Sequence, residues 1–270
     1  MGDLRALAAI YGRLIGSRIR SHLEYPVSFV LQLAGTAFLT LIDFVAIATI
    51  FANVPELGEW TLGEVALLYA LATISFAFTD LAIGHLDLFP EMIRSGGFDQ
   101  ILVRPLPSLL QVVASDFAPR RLGKVLQGIA VLAVAIVLVD VDWTLGRALA
   151  LPVAILAGSV IYAAVWISLA TVTFWIVDAI EVVNAFTYGG SFLSQYPIGI
   201  FARWLRALVV FVVPIAFVAY FPALYLLGRE DTLGLPEVLQ YASPVVAVVS
   251  AFVASLVWQG AVRHYRSAGG

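Results

Sequence analysis

Six long apolar runs constrain this chain more than any other feature. They cover about residues 27–53, 62–84, 122–139, 148–177, 205–227 and 244–262. Each supplies roughly the 20 residues that cross ~30 Å of hydrocarbon as a helix. Inside a bilayer every backbone N–H and C=O must pair within the protein, so such runs fold as α-helices. Composition says the same: 61% of the 270 residues are hydrophobic and 12% are charged. A soluble domain is about half apolar and a quarter charged. One core of this length cannot bury the excess, so lipid must solvate much of it. The expected fold is an all-α membrane protein of six transmembrane helices. Pro214 and Pro222 lie inside the fifth run, where a kink or a broken helix is expected.

Lys and Arg set the orientation. Arg5, Arg13, Arg18 and Arg20 precede the first run; Arg94, Arg104, Arg120, Arg121 and Lys124 lie between or flank the second and third. Arg203 and Arg206 precede the fifth run, and Arg263 and Arg266 follow the sixth. These are 13 of the 15 cations; Arg147 and Arg229 sit in the other loops, with Glu56, Glu59, Asp140, Asp142, Glu230, Asp231 and Glu237. The positive-inside rule then places both termini in the cytoplasm, as in a multi-pass cell-membrane or inner-membrane protein. Residues 3–23 pattern as an amphipathic helix, with Leu4, Leu7, Tyr11, Leu14 and Ile15 on one face and arginines opposite. Such a helix lies along the interface. No cleavable signal peptide is read at the start, because four arginines precede the first long run. With no internal repeat and no linker, residues 1–270 read as a single domain.

The stretch 84–107 (GHLDLFPEMIRSGGFDQILVRPLP) is too polar to span a bilayer. Pro90 suits the first turn of a short helix, and Gly96–Gly97 suit its end. Phe98, Ile101 and Leu102 share one face of a second helix, with Asp99 and Arg104 directed elsewhere and Pro105 and Pro107 ending it. The expectation is a compact cytoplasmic docking surface. Residues 178–204 form another cytoplasmic loop, with a helix from Asp178 and Glu181 ending at Gly189–Gly190. In 228–243, Leu235, Val238 and Leu239 suggest a short helix turned toward lipid. Trp60, Trp143, Trp204 and Trp258 fall at run ends as interfacial anchors.

Catalytic and cofactor motifs are missing from the sequence. With no cysteine, neither a disulfide nor a thiolate metal site is possible. Gly123–Lys124 lacks the upstream glycine and the Ser/Thr of a phosphate loop. His22, His85 and His264 are far apart in sequence, and His85 with Asp87 is half a metal site at most. No G-x-S-x-G or His-Glu-x-x-His occurs. Asp43 lies well inside the first run, where a charge costs at least ~2.5 kcal/mol. It reads as a hydrogen-bonded carboxyl within the bundle, or alternatively as a proton or substrate site. No second acid or base is read at its depth.

The run Arg94–Pro107 (RSGGFDQILVRPLP) is similar to the G-x-[FL]-D-x-x-L-x-[RK]-P signature of bacterial ABC-2-type transporter permeases. The stretch 214–228 (PIAFVAYFPALYLLG) and the end 258–269 (WQGAVRHYRSAG) agree with it, apart from His264, where a basic residue is expected. The resemblance covers nearly the whole chain. It implies six spans and a pairing with a second permease chain, identical or related. It further implies a separate cytoplasmic ABC ATPase subunit that carries the ATP and Mg, and export as the usual direction. No cofactor is expected on this chain, and no nucleic-acid partner. In that family the N-terminal helix and the loop after the second span contact the ATPase. Glu91, Arg94, Gly96, Gly97, Phe98, Asp99 and Arg104 are accordingly the expected coupling residues, and this chain is expected not to be an enzyme by itself. Ala34 and Gly35 are expected at a small-residue interface between permease chains formed by the first and fifth spans. The alternatives are a proton-coupled carrier centred on Asp43, or a membrane-embedded lipid-modifying enzyme.

Overall fold

The computed structural model describes residues 26–113, 121–176 and 180–265. The expected interfacial helix 3–23, Arg120, Asp178 and Arg266 lie outside these residues. Eleven α-helices occur among the described residues: α1 (Pro26–Phe51), α2 (Leu62–Ile83), α3 (Phe89–Arg94), α4 (Gly97–Leu102), α5 (Ser108–Val113), α6 (Leu122–Leu138), α7 (Leu145–Ala170), α8 (Ile180–Leu193), α9 (Arg203–Ala207), α10 (Tyr220–Leu227) and α11 (Ser243–Val262). No strand is present among the described residues, only a single bridge between Leu57 and Trp60.

Local chemistry sets the helix ends. Thr61 caps α2 in a capping box: its hydroxyl accepts from Glu64 N, and Glu64 Oε2 accepts from Thr61 N at 2.7 Å. Thr144 caps α7 by accepting from Arg147 N at 3.2 Å. Pro244 stands in the first turn of α11, where its missing N–H is not needed.

The helix α2 is the centre of the bundle. Its apolar stretch is 83% buried, against 6% for that of α1. It packs on α6 and α7; α1 packs on α6, and α11 on α7. Lipid or another protein must therefore cover most of α1.

Among the described residues four helical stretches are long and apolar enough to cross a membrane: Pro26–Phe51, Leu62–Arg94, Leu145–Phe174 and Ser243–Val262. A fifth crossing results if Arg203–Val212 and Ile215–Leu227, bent by 73° at their junction, form one span. Helix α6 has 17 residues, which falls short of the roughly 20 that a span needs. The count that length and composition carry is thus four or five, against the six read from the sequence. The expected break in the fifth run is present. Pro214 has no N–H to continue the ladder, whereas Pro222 sits in the first turn of α10.

The fourth helix starts and stops earlier than its apolar run, at Leu145 and Ala170, followed by a 3-10 turn to Phe174. Gly189 and Gly190 do not end α8, which continues to Leu193. That helix packs on α7. In 228–243 the only helical turn is a 3-10 segment, Glu237–Tyr241, with Val238 exposed and Leu239 against the core. Two of the four expected tryptophan anchors are instead buried. Trp60 packs on Tyr220 with the Arg229 guanidinium over its ring, and Trp258 enters an aromatic cluster. Trp143 and Trp204 are exposed.

Candidate functional site

The segment 84–107 folds as a 3-10 turn, two short helices and a return. Pro90 stands in the first turn of α3. Gly96 takes φ +72°, which L side chains rarely adopt, and so reverses the chain between α3 and α4. The turn therefore rests on Gly96 alone. Gly97 has no positive φ and is the first residue of α4, so the pair is not one stop signal.

Four side chains fasten this segment to the bundle: Phe89, Ile93, Phe98 and Ile101 are buried. Phe89 and Phe98 meet edge to face at 5.5 Å and contact Phe174, after α7, and Trp258, in α11. Tyr265 closes the cluster against Phe98 at 5.0 Å. Such aromatic pairs each contribute about 0.5–1.5 kcal/mol beyond their buried area. Polar ties add to the hold. Gln111 Nε2 donates to the Ile101 and Leu106 carbonyls, Trp258 Nε1 donates to Ser108 Oγ, and the His85 ring bonds the Val112 carbonyl. His85 and Asp87 thus turn to different partners. No group of three or more His, Cys, Asp or Glu able to hold a metal forms among the described residues.

The outer side is mixed. Glu91 and Arg94 are exposed and form an i,i+3 ion pair at 3.5 Å. Arg104 is exposed and Asp99 is half-buried. Leu88, Leu102, Val103 and Leu106 are exposed beside them, Val103 at 84%. Leu102 therefore belongs to the outer surface and not to the packed face expected from helical spacing. A six-residue helix is too short for that spacing to decide burial. Phe98, grouped with the charged residues in the sequence reading, is fully buried; its contribution is to seat the segment.

A second constellation lies beside this segment and was not read from the sequence. Asp80, in the last turn of α2, is buried and pairs with Arg121 at 3.2 Å and Lys124 at 3.0 Å. Arg121 also donates to the Asp80 carbonyl at 2.7 Å. A Cβ at Gly84 would collide with the Arg121 guanidinium and the Asp80 carboxylate, so glycine is required for this close approach. Tyr188, from α8, donates to Asp87 at 2.9 Å. Burial and the Asp87 and Asp80 carboxylates push the Tyr188 phenol up, so it stays protonated and keeps donating. The clue in the sequence was an acid near the C-terminal end of one apolar run and a basic pair opening the next. The packing of α2 on α6 brings those ends together.

Asp43 stands exposed on α1, against the carboxyl held within the bundle that the sequence suggests. Helix α6, which carries Lys124, packs beside α1. On the other side of the bundle, an apolar groove of about 640 Å³ runs between α7, the broken fifth run and α11. Its lining is almost wholly apolar, with Ser168 and Ser250 as exceptions.

A family model described as ABC-2 family transporter protein matches residues 37–269. No curated protein and no solved structure matches the chain. The match covers the whole described bundle from the middle of α1 onward. The chain belongs to the ABC-2 transporter family: it is a multi-pass membrane protein with a transport permease role.

Proposed function

With ABC-2 membership as the premise, we propose that the chain is the permease subunit of an ATP-driven exporter, and that the 84–107 surface receives a separate ABC ATPase. The observation that carries this reading is the two-sidedness of that segment. Its inner side is fixed by Phe89 and Phe98 to Phe174 and Trp258, at the ends of two long helices. Its outer side offers Glu91, Arg94, Arg104 and an apolar edge. A surface anchored in this way moves as a body with α7 and α11, which also line the apolar groove. ATP-driven closure of two ATPase subunits would push it and rock two permease chains between inward and outward access. ATP and Mg belong to the partner in this scheme. The second permease chain covers α1, where Ala34 and Gly35 allow close backbone approach. The apolar groove favours an amphipathic, lipid-like substrate. Six crossings with cytoplasmic termini complete the arrangement, the short α6 among them. Reporters fused after Ala268 and inserted near Glu56 should read cytoplasmic and external; the reverse at both sites would remove this orientation.

The coupling role has a direct test. The Arg94→Ala/Arg104→Ala protein should insert and pair normally, because both side chains are exposed. It should retain its ATPase poorly and transport slowly, since charged rim contacts govern association more than stability. Normal pull-down of the ATPase with wild-type transport would reduce these arginines to markers of topology. Transport that persists with no ABC ATPase present would favour a proton-coupled carrier centred on Asp43.

A further inference from the structure

We propose that the polar cavity between α1, α2, α6 and α8 binds a phosphate-bearing headgroup, supplied by an anionic lipid of the surrounding bilayer. The cavity has a volume of about 240 Å³ and is lined by Thr36, Asp80, Arg121, Lys124 and Tyr188. Two cations here share one carboxylate. Arg121 reaches Asp80 through Nη1 alone, and Lys124 makes one bond, to Asp80 Oδ2. Among the described residues Arg121 Nε and Nη2 make no further hydrogen bond, and the Lys124 ammonium otherwise lies over the Phe76 and Tyr188 rings, at 5.7 and 5.9 Å from their centroids. A second carboxylate, Asp87, stands beside the cavity and accepts from Tyr188 through Oδ2. The lining itself holds two cations and one carboxylate, and Asp87 is a second carboxylate outside it. Arginine's planar fork and lysine's mobile ammonium are the donors that phosphate oxygens take.

The depth fits a headgroup. At 1.5 Å per residue, Asp80 lies about 27 Å from the Leu62 end of α2. In a hydrocarbon core of ~30 Å it stands near the boundary on the 84–107 side, with Lys124 bonded to it. Helix α1, which supplies one wall, is otherwise almost bare. A lipid beside it can turn its phosphate into the cavity and leave its chains along the part of α1 away from the Ala34–Gly35 face. Basic pockets between helices on the cytoplasmic side are a recurring form of acidic-lipid recognition. This assignment does not depend on the ATPase reading.

The test uses the purified full-length chain in nanodiscs of phosphatidylcholine with added phosphatidylglycerol, with retained lipid counted by native mass spectrometry. Phosphatidylglycerol should be retained in preference to phosphatidylcholine, and Lys124→Gln should weaken that retention on the order of tenfold. Asp80→Asn removes the internal competitor and should strengthen retention; an ion pair that is only structural predicts no gain. Inorganic phosphate alone should bind far more weakly than the lipid. Equal retention of the two lipids, an unchanged Lys124→Gln protein, or no gain in Asp80→Asn would overturn the site. Binding of inorganic phosphate as tight as that of phosphatidylglycerol would overturn the lipid source. If Lys124→Gln does not insert, the Asp80→Asn comparison decides.

Discussion

Replacing Phe98 with alanine should loosen the 84–107 segment more than any change on its outer surface. Its ring is fully buried and contacts Phe89, Phe174, Trp258 and Tyr265. Truncating a buried phenylalanine destabilises by about 3–5 kcal/mol. Because α3 and α4 are only six residues each, they have little intrinsic stability and depend on this seat. The expected result is fast amide exchange across 84–107, with protection elsewhere in the bundle preserved. Phe98→Leu should recover most of the protection, since it refills much of the volume. Uniformly lowered protection in Phe98→Ala would show that the segment is not a separate seated body. Under the coupling reading, Phe98→Ala should also lose ATP-dependent transport while keeping its exposed arginines.

The second large effect belongs to Asp80. Asp80→Ala leaves Arg121 and Lys124 without their carboxylate in a site where both are mostly buried. Breaking one side of a buried ion pair typically destabilises by about 3–5 kcal/mol. The thermal transition of the detergent-solubilised protein should fall accordingly, and Asp80→Asn should fall less, since the amide still accepts hydrogen bonds. A matching removal at the exposed Glu91–Arg94 pair should change stability by no more than about 1 kcal/mol, as surface pairs contribute little. Equal effects at the two sites would mean that the Asp80 cluster is solvated and not a buried clasp.

Local features were legible in the sequence where they depend on neighbours in the chain. The apolar runs appear as helices, Pro90 opens α3, and Pro214 breaks the fifth run. Features set by distant partners were not. Asp80 and Lys124 are 44 residues apart, and only the packing of α2 on α6 joins them. Trp258 looked like an interfacial anchor because its run ends there, but Phe89 and Phe174 bury it. Gly189–Gly190 looked like a helix stop, yet α8 carries both through. In the candidate surface the turn chemistry was readable, while the division between seated and outward side chains was not. Phe98 and Leu102 share a face by spacing; the first is buried and the second is exposed.

The central claim is that 84–107 is the surface on which an ABC ATPase acts. Its most direct test places a photo-cross-linking residue at Arg94, with a control at Val137 at the other end of α6, in membranes that contain an ABC ATPase that co-purifies with this chain. A permease–ATPase adduct should form from position 94, its yield changing when ATP is added, and none from position 137. An ATPase adduct that forms at 137 and not at 94, or no adduct at 94 while the two proteins still co-purify, would contradict it.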